Sequence, residues 1–130
     1  MTRTYEFLKK AGTFYLATVE HDQPRVRPFG AACIYNGKLY ITTSNKKACF
    51  RQMMENPKIE ISGMAGGEWI RLTGELAQDT SVEARKAMLE ANPSLKTMYA
   101  ADDGKFEVLY FTKAVSVFNA FGKQPETEQF

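Results

Sequence analysis

Histidine is almost missing from this chain: the 130 residues contain His21 alone, followed by Asp22-Gln23-Pro24 in a turn-like cluster. A Ser-His-Asp triad or a multi-histidine metal site would therefore rest on one residue placed for solvent. Cysteine is nearly as scarce. Cys33 and Cys49 stand apart with no Cys-x-x-Cys or Cys/His cluster, which argues against a disulfide framework or a zinc site and for two buried thiols. Blocks of like charge are absent, and 17 basic against 15 acidic residues leave a net charge of +2, so extensive wrapping by nucleic acid is not expected. No run approaches the ~20 apolar residues that span a bilayer, and the opening Met-Thr-Arg-Thr-Tyr-Glu is not a signal peptide, which leads to the expectation of a cytoplasmic protein with no membrane partner. Gly-rich phosphate loops of the Walker or Rossmann type are also missing. The carboxylates are scattered over turns and helix surfaces, so a glycosidase-type pair has no anchor.

What remains is an ordinary globular composition, 44% hydrophobic and 25% charged, in a length suited to one domain. Thr2 or Thr4 can cap a short helix that Gly12 ends. Phe14 to Val19 is aromatic and β-branched and reads as a strand, followed by a turn and a second strand from Arg25 to Tyr35. Pro28 within that second strand cannot donate to a sheet ladder, so it belongs at an edge, at a bulge or beside a ligand. Asn36-Gly37 is a strong hairpin signal leading into Lys38 to Thr43. Apolar spacing predicts a helix from Asn45 to Glu55, stopped by Asn56-Pro57. Alternation around Ile59 and Ile61, and again from Ile70 to Leu76, predicts two half-buried strands. Thr80-Ser81-Val82-Glu83 resembles a capping box that opens a helix ending at Asn92-Pro93, with a short turn near Leu95 to Tyr99. Val108 to Phe121 forms the last strand, and the polar tail from Lys123 to Phe130 reads as loose. Six strands with inserted helices suggest an α+β domain whose antiparallel sheet curls into a barrel to remove its edges.

The chemically informative stretch is Thr42-Thr43-Ser44-Asn45-Lys46-Lys47, where hydroxyls precede a predicted helix start carrying two lysines. Cations beside the positive end of a helix are locally unfavourable, by a few tenths of a kcal/mol, unless an anion joins them. A phosphate would resolve the conflict by accepting from free N–H groups, hydroxyls and ammonium groups together. The alternative is a plain cap with two solvated lysines. Arg25 and Arg27 share parity on a strand that the hairpin pairs with the one ending at Thr42 and Thr43, so guanidinium groups and hydroxyls can meet on one patch. The alternative is that the arginines only blunt an edge strand.

In order and spacing, Pro24-Arg25-Val26-Arg27-Pro28-Phe29, Asn36 to Thr43, Lys46-Lys47, Glu55-Asn56-Pro57-Lys58-Ile59 and Glu68 to Gly74 resemble the pyridoxamine 5'-phosphate oxidase-like FMN-binding split barrels, nearest to the short nitroimidazole-resistance (Nim)-type proteins. The resemblance implies a single split-barrel domain over residues 1–130, a homodimer, and FMN in clefts at the subunit interface. It also implies phosphate contacts from Arg27 and Lys47, with Arg25 and Lys46 as alternatives, and contacts from Thr42, Thr43 and Ser44 to phosphate or ribityl oxygens. Pro28 and Phe29 correspond to the strand along the isoalloxazine ring. Trp69 corresponds to a flavin contact from the other subunit, with barrel or interface filler as its other reading. Related split barrels hold a deazaflavin or a haem instead. The stretch after Phe121 lacks the Arg-x-His segment that binds pyridoxine phosphate in the true oxidases, which points to a reductase. Nim-type function is associated with a histidine near the flavin, a place the turn residue His21 does not take. The expected activity is an FMN-dependent oxidoreductase taking electrons from a nicotinamide or flavin donor to a small aromatic or nitro acceptor. A non-catalytic flavin-binding or redox-sensing protein is the main alternative. A small barrel that binds a nucleotide or nucleic acid is a further one.

Overall fold

The computed structural model describes residues 1–130 and is an α+β arrangement of one antiparallel sheet with helices around it. Helix α1 (Thr2–Ala11) buries Thr4, Phe7 and Leu8, and Gly12, at φ 76°, ends it by donating its N–H to Leu8. Strands β1 (Phe14–Glu20) and β2 (Gln23–Phe29) form a hairpin through His21, whose φ is 58°. Strands β3 (Ala32–Tyr35) and β4 (Lys38–Ser44) pair across Asn36 and Gly37, at φ 51° and 72°, the double positive φ that a type I′ turn needs. Helix α2 (Ala48–Glu55) follows, then β5 (Lys58–Ala65), β6 (Glu68–Asp79), helix α3 (Val82–Ala91), a 3₁₀ turn (Pro93–Thr97), β7 (Phe106–Ala120) and β8 (Glu126–Gln129). No helix is long and apolar enough to cross a membrane.

The order of hydrogen-bonded strands is β2-β1-β5-β6-β7-β4-β3, with β8 added on β7. There are thus eight strands, where six are expected from the sequence. One extra strand comes from the segment Arg25 to Tyr35, which reads as a single strand but breaks at Gly30-Ala31. Its halves pair with different partners, β2 with β1 and β3 with β4. These halves are the two edges of the sheet, yet only two residues join them, so the curled sheet brings its edges to one place without pairing them. The expected closure that removes the edges is therefore replaced by an opening. Pro24 and Pro28 both lie on edge strand β2, where a missing N–H costs no ladder bond.

The second extra strand is β8, in the tail expected to be loose. The first half of β7 is paired by β4 and leaves Val115–Phe118 with a free flank, which Glu126–Gln129 fill. Phe130 extends the pairing through two backbone bonds with Ala114, and its ring meets Phe111 edge-on at 6.2 Å between centroids. Two further boundaries differ from the sequence pattern. Helix α2 begins at Ala48, because Asn45–Lys47 are spent on a turn whose bonds run from Lys46 N–H to the Ser44 hydroxyl and from Lys47 N–H to the Ser44 carbonyl. The cap of α3 is Ser81, whose hydroxyl accepts from the Ala84 N–H, so no reciprocal Thr80–Glu83 box forms.

The main core joins Leu8, Phe14, Leu16, Leu39, Ile41, Met53, Ile61, Ile70, Leu72 and Leu109, all fully buried. A smaller apolar cluster lies under α3, with Cys33, Tyr40, Met88, Phe106 and Val108. Both cysteines are buried and unpaired, and burial pushes the Cys33 thiol up to about 11.

Candidate functional site

The opening between the sheet edges widens into a cleft of about 360 Å³. One wall is the crossing segment from Arg27 to Ala31. The second is the end of β4 and the start of α2, through Thr42, Thr43, Lys47 and Cys49. The third is the far end of α3 and the 3₁₀ turn, through Asn92, Leu95, Met98 and Tyr99. Arg27, Pro28, Phe29, Thr42, Thr43 and Lys47, all singled out in the sequence, therefore meet in one place although they lie on three elements.

The polar end of the cleft is where α2 begins. Lys47 is the N-cap residue, no side chain caps the helix, and its first turn carries no acidic residue. Such a helix start offers unsatisfied N–H groups and partial positive charge, here beside a lysine and an arginine. Arg27 is half-buried, and its Nη1 donates to the Thr18 hydroxyl at 2.8 Å and the Leu16 carbonyl at 3.1 Å. Its Nη2 donates to Gln52 Oε1 at 2.7 Å. Thr43 is buried, with its hydroxyl 3.3 Å from the Cys49 sulfur. The Thr42 hydroxyl donates to the Glu107 carbonyl, and Thr42 lines the cleft. The remaining walls combine Pro28, Phe29, Leu95, Met98 and Tyr99 with the polar Asn92 and Ser94, a mixture that suits a flat heteroaromatic ring with an anionic arm.

The other residues expected at a site lie outside the cleft lining. Arg25 pairs with Glu20, its Nε at 3.2 Å and Nη2 at 3.1 Å from Oε1. That hydrogen bond is the main reason the Glu20 carboxyl is held below its ordinary range, with Gln52 and Arg51 helping. Ser44 is buried, and its hydroxyl accepts from the Lys46 N–H, while the Lys46 side chain is exposed. Trp69 stands on β6 opposite Met64 and packs on Phe121 at 5.2 Å between ring centroids. His21 is exposed in the β1–β2 turn.

Two groups escape a reading of the sequence. The wall of Asn92, Ser94, Leu95, Met98 and Tyr99 reads only as a helix stop and a turn, and nothing local indicates that it faces β2. Gln52 and Thr18 are 3% and 1% exposed and form the bed of Arg27. A signal for Gln52 exists: it shares helical spacing with Cys49 and Met53, so it is a polar residue on the buried face of α2.

Residues 3–116 match the family model described as pyridoxamine 5'-phosphate oxidase. Among curated proteins no sequence matches. A NimC/NimA family protein from Clostridium acetobutylicum has 58% identity and a TM-score of 0.97, covering 100% of this chain and 93% of that one. A pyridoxamine 5'-phosphate oxidase-related, FMN-binding protein from Nostoc punctiforme shares the fold at 15% identity and a TM-score of 0.57, over 92% of this chain and 88% of that one. A haem-binding protein from Mycobacterium smegmatis does so at 17% identity and a TM-score of 0.71, over 92% of this chain and 53% of that one.

Proposed function

The chain belongs to the pyridoxamine 5'-phosphate oxidase-like family, near its Nim-type proteins, and on that premise we propose that its cleft binds FMN and serves an oxidoreductase. The observation that carries this reading is the convergence of Arg27, Lys47 and the uncapped start of α2 in one cleft that also presents Phe29, Leu95, Met98 and Tyr99. In this reading Arg27 and Lys47 bind the phosphate, with N–H groups of α2 and the β4 end at Thr42 and Thr43 beside it. Backbone from Pro28 to Gly30 lies along the isoalloxazine ring, faced by Leu95, Met98 and Tyr99. The flavin supplies the electron chemistry when bound, and the chain supplies orientation and charge. Its donor is a reduced nicotinamide or flavin, and its acceptor a small aromatic or nitro compound.

A homodimer completes the proposal. Strand β2 is exposed along most of its length, and Val26, Tyr15 and Met64 are 67%, 50% and 68% exposed. Strand register puts Tyr15 beside Pro28, Ala17 beside Val26 and Met64 beside Trp69, so these residues share one outer face of the sheet. An apolar face of this kind, continuous with the cleft through Pro28, suits a second copy of the chain that brings its Trp69 to the flavin.

Absorbance of the purified protein, followed by release and identification of its chromophore, tests the cofactor. A flavin spectrum with FMN released is the expected result, whereas haem, deazaflavin or no uptake of added FMN would refute it. Arg27→Ala should weaken FMN binding by about 1 to 3 kcal/mol, the scale of a lost charged hydrogen bond. Anaerobic mixing with reduced nicotinamide, or with a reduced flavin, should bleach the bound flavin, and a nitroaromatic added next should take its electrons, restore the colour and be reduced over repeated turnovers while donor lasts. A flavin that neither donor reduces would leave a passive binder.

A further inference from the structure

We propose that Thr18 and Gln52, with Glu20 behind them, are positioning residues that occupy one face of the Arg27 guanidinium and turn its other face toward the phosphate. The proposal rests on the reading of Arg27 as a phosphate ligand and concerns how that ligand is presented.

A guanidinium has two forked faces: an end-on face made by Nη1 and Nη2, and a side-on face made by Nε and the second Nη2 hydrogen. Here Nη1 donates to Thr18 Oγ1 at 2.8 Å and Nη2 to Gln52 Oε1 at 2.7 Å. These two acceptors are themselves 2.5 Å apart, joined by a hydrogen bond from the Thr18 hydroxyl. Two adjacent acceptors at that separation match the end-on fork, so this face is filled. The other Nη1 hydrogen is taken by the carbonyls of Leu16 at 3.1 Å and Arg25 at 3.3 Å. Nε and one hydrogen of Nη2 are left without a partner in the chain, and together they form the side-on fork, suited to bidentate contact with a phosphate.

The orientation of the Gln52 amide decides whether this works, because a flipped amide would set an NH₂ group against the cation. Glu20 settles the orientation. Its carboxylate can only accept, and Gln52 Nε2 donates to Glu20 Oε2 at 3.3 Å, so Oε1 must face Arg27 and Thr18. Glu20 is anchored in turn by Arg25 at 3.1 Å and Arg51 at 3.7 Å. Arg25 thereby acts through Glu20 and Gln52, although it shares parity with Arg27 on β2. Gln52 and Thr18 sit outside the cleft lining and are almost fully buried, so neither competes for the ligand.

Titration of the full chain with FMN and with riboflavin, which lacks the phosphate, tests this. Thr18→Val and Gln52→Met should each weaken FMN binding on the order of tenfold, the loss of one hydrogen bond to a charged group. Riboflavin affinity should stay the same, and Thr18→Ser, which keeps the hydroxyl, should restore FMN binding. In an Arg27→Ala background neither substitution should have a further effect on FMN. If Arg27→Ala itself leaves FMN affinity unchanged, the phosphate assignment falls. If Arg27→Ala weakens FMN but Thr18→Val does not, or if Thr18→Val weakens FMN and riboflavin alike, the positioning role is overturned while the assignment stands. Should Gln52→Met fail to fold, the comparison of Thr18→Val with Thr18→Ser decides alone.

Discussion

Two lysines adjacent in sequence illustrate how much one position matters. Lys47 lines the cleft at the start of α2, whereas Lys46 is exposed outside it. Lys47→Ala is expected to weaken FMN binding by about 1 to 3 kcal/mol, and Lys46→Ala by a few tenths, the scale of a solvated charge; FMN titration of both variants distinguishes them. Gly74 is a second such residue, for steric reasons. A Cβ there would lie 2.6 Å from the Phe111 ring and 2.9 Å from the Lys113 carbonyl, just before the bulge between Glu75 and Leu76. Gly74→Ala should therefore destabilise the fold by roughly 1 to 3 kcal/mol through overpacking, seen as a lower denaturant midpoint with an unchanged slope. A set of cations near Thr42 and Thr43 was legible from residue type and spacing, but only the family resemblance preferred Arg27 to Arg25 and Lys47 to Lys46, the two that line the cleft. Gln52 was not legible, because its role depends on β1, β2 and α2 meeting around one guanidinium.

Between elements, the tail is tied to the first helix through Glu128 on β8. Burial raises its carboxyl, but hydrogen bonds from the Met1 ammonium, the Thr4 hydroxyl and N–H and the Arg3 N–H outweigh this and hold it at about 2. Because the folded value lies below the ordinary 4.5, this contribution to stability is complete above about 4.5. It declines as pH falls from there toward 2. Unfolding midpoints measured between neutral pH and pH 3 should fall, and Glu128→Gln should be less stable at neutral pH and have a shallower dependence. Local chemistry made the Asn36-Gly37 hairpin and the start of α3 near Thr80 and Ser81 readable, while the choice of Ser81 as cap and of the edge for Pro28 came with the structure. The β8 segment was not readable, since Glu126-Thr127-Glu128-Gln129 has little strand propensity and is ordered by the free flank of β7.

In the whole molecule the decisive feature is an opening where a closed barrel is expected. The outer face carrying Tyr15, Val26, Met64 and Trp69 leads to the expectation that Met64→Glu shifts the protein from dimer to monomer in sedimentation velocity and lowers FMN affinity in parallel. Full FMN affinity in a monomer would place Trp69 outside the site. The pairing expected to set Arg25 and Arg27 against Thr42 and Thr43 does not form, because β2 pairs with β1 and β4 with β3; Arg27 reaches the Thr42 and Thr43 side across the opening. The sequence by itself determined the short-range features: strand and helix character, turns and the buried cysteines. Each depends on side-chain chemistry and spacing within a few residues. Only the tertiary structure decided that Gly30-Ala31 splits one expected strand into two edges, and that the 3₁₀ turn closes the cleft. The reason is physical: pairing partners for β2 and β3 are chosen by long-range hydrogen bonding and core packing, which bring Leu16, Leu39 and Leu109 into one core. The apolar residues of Gly30 to Tyr35 suit an unbroken strand as well as a broken one.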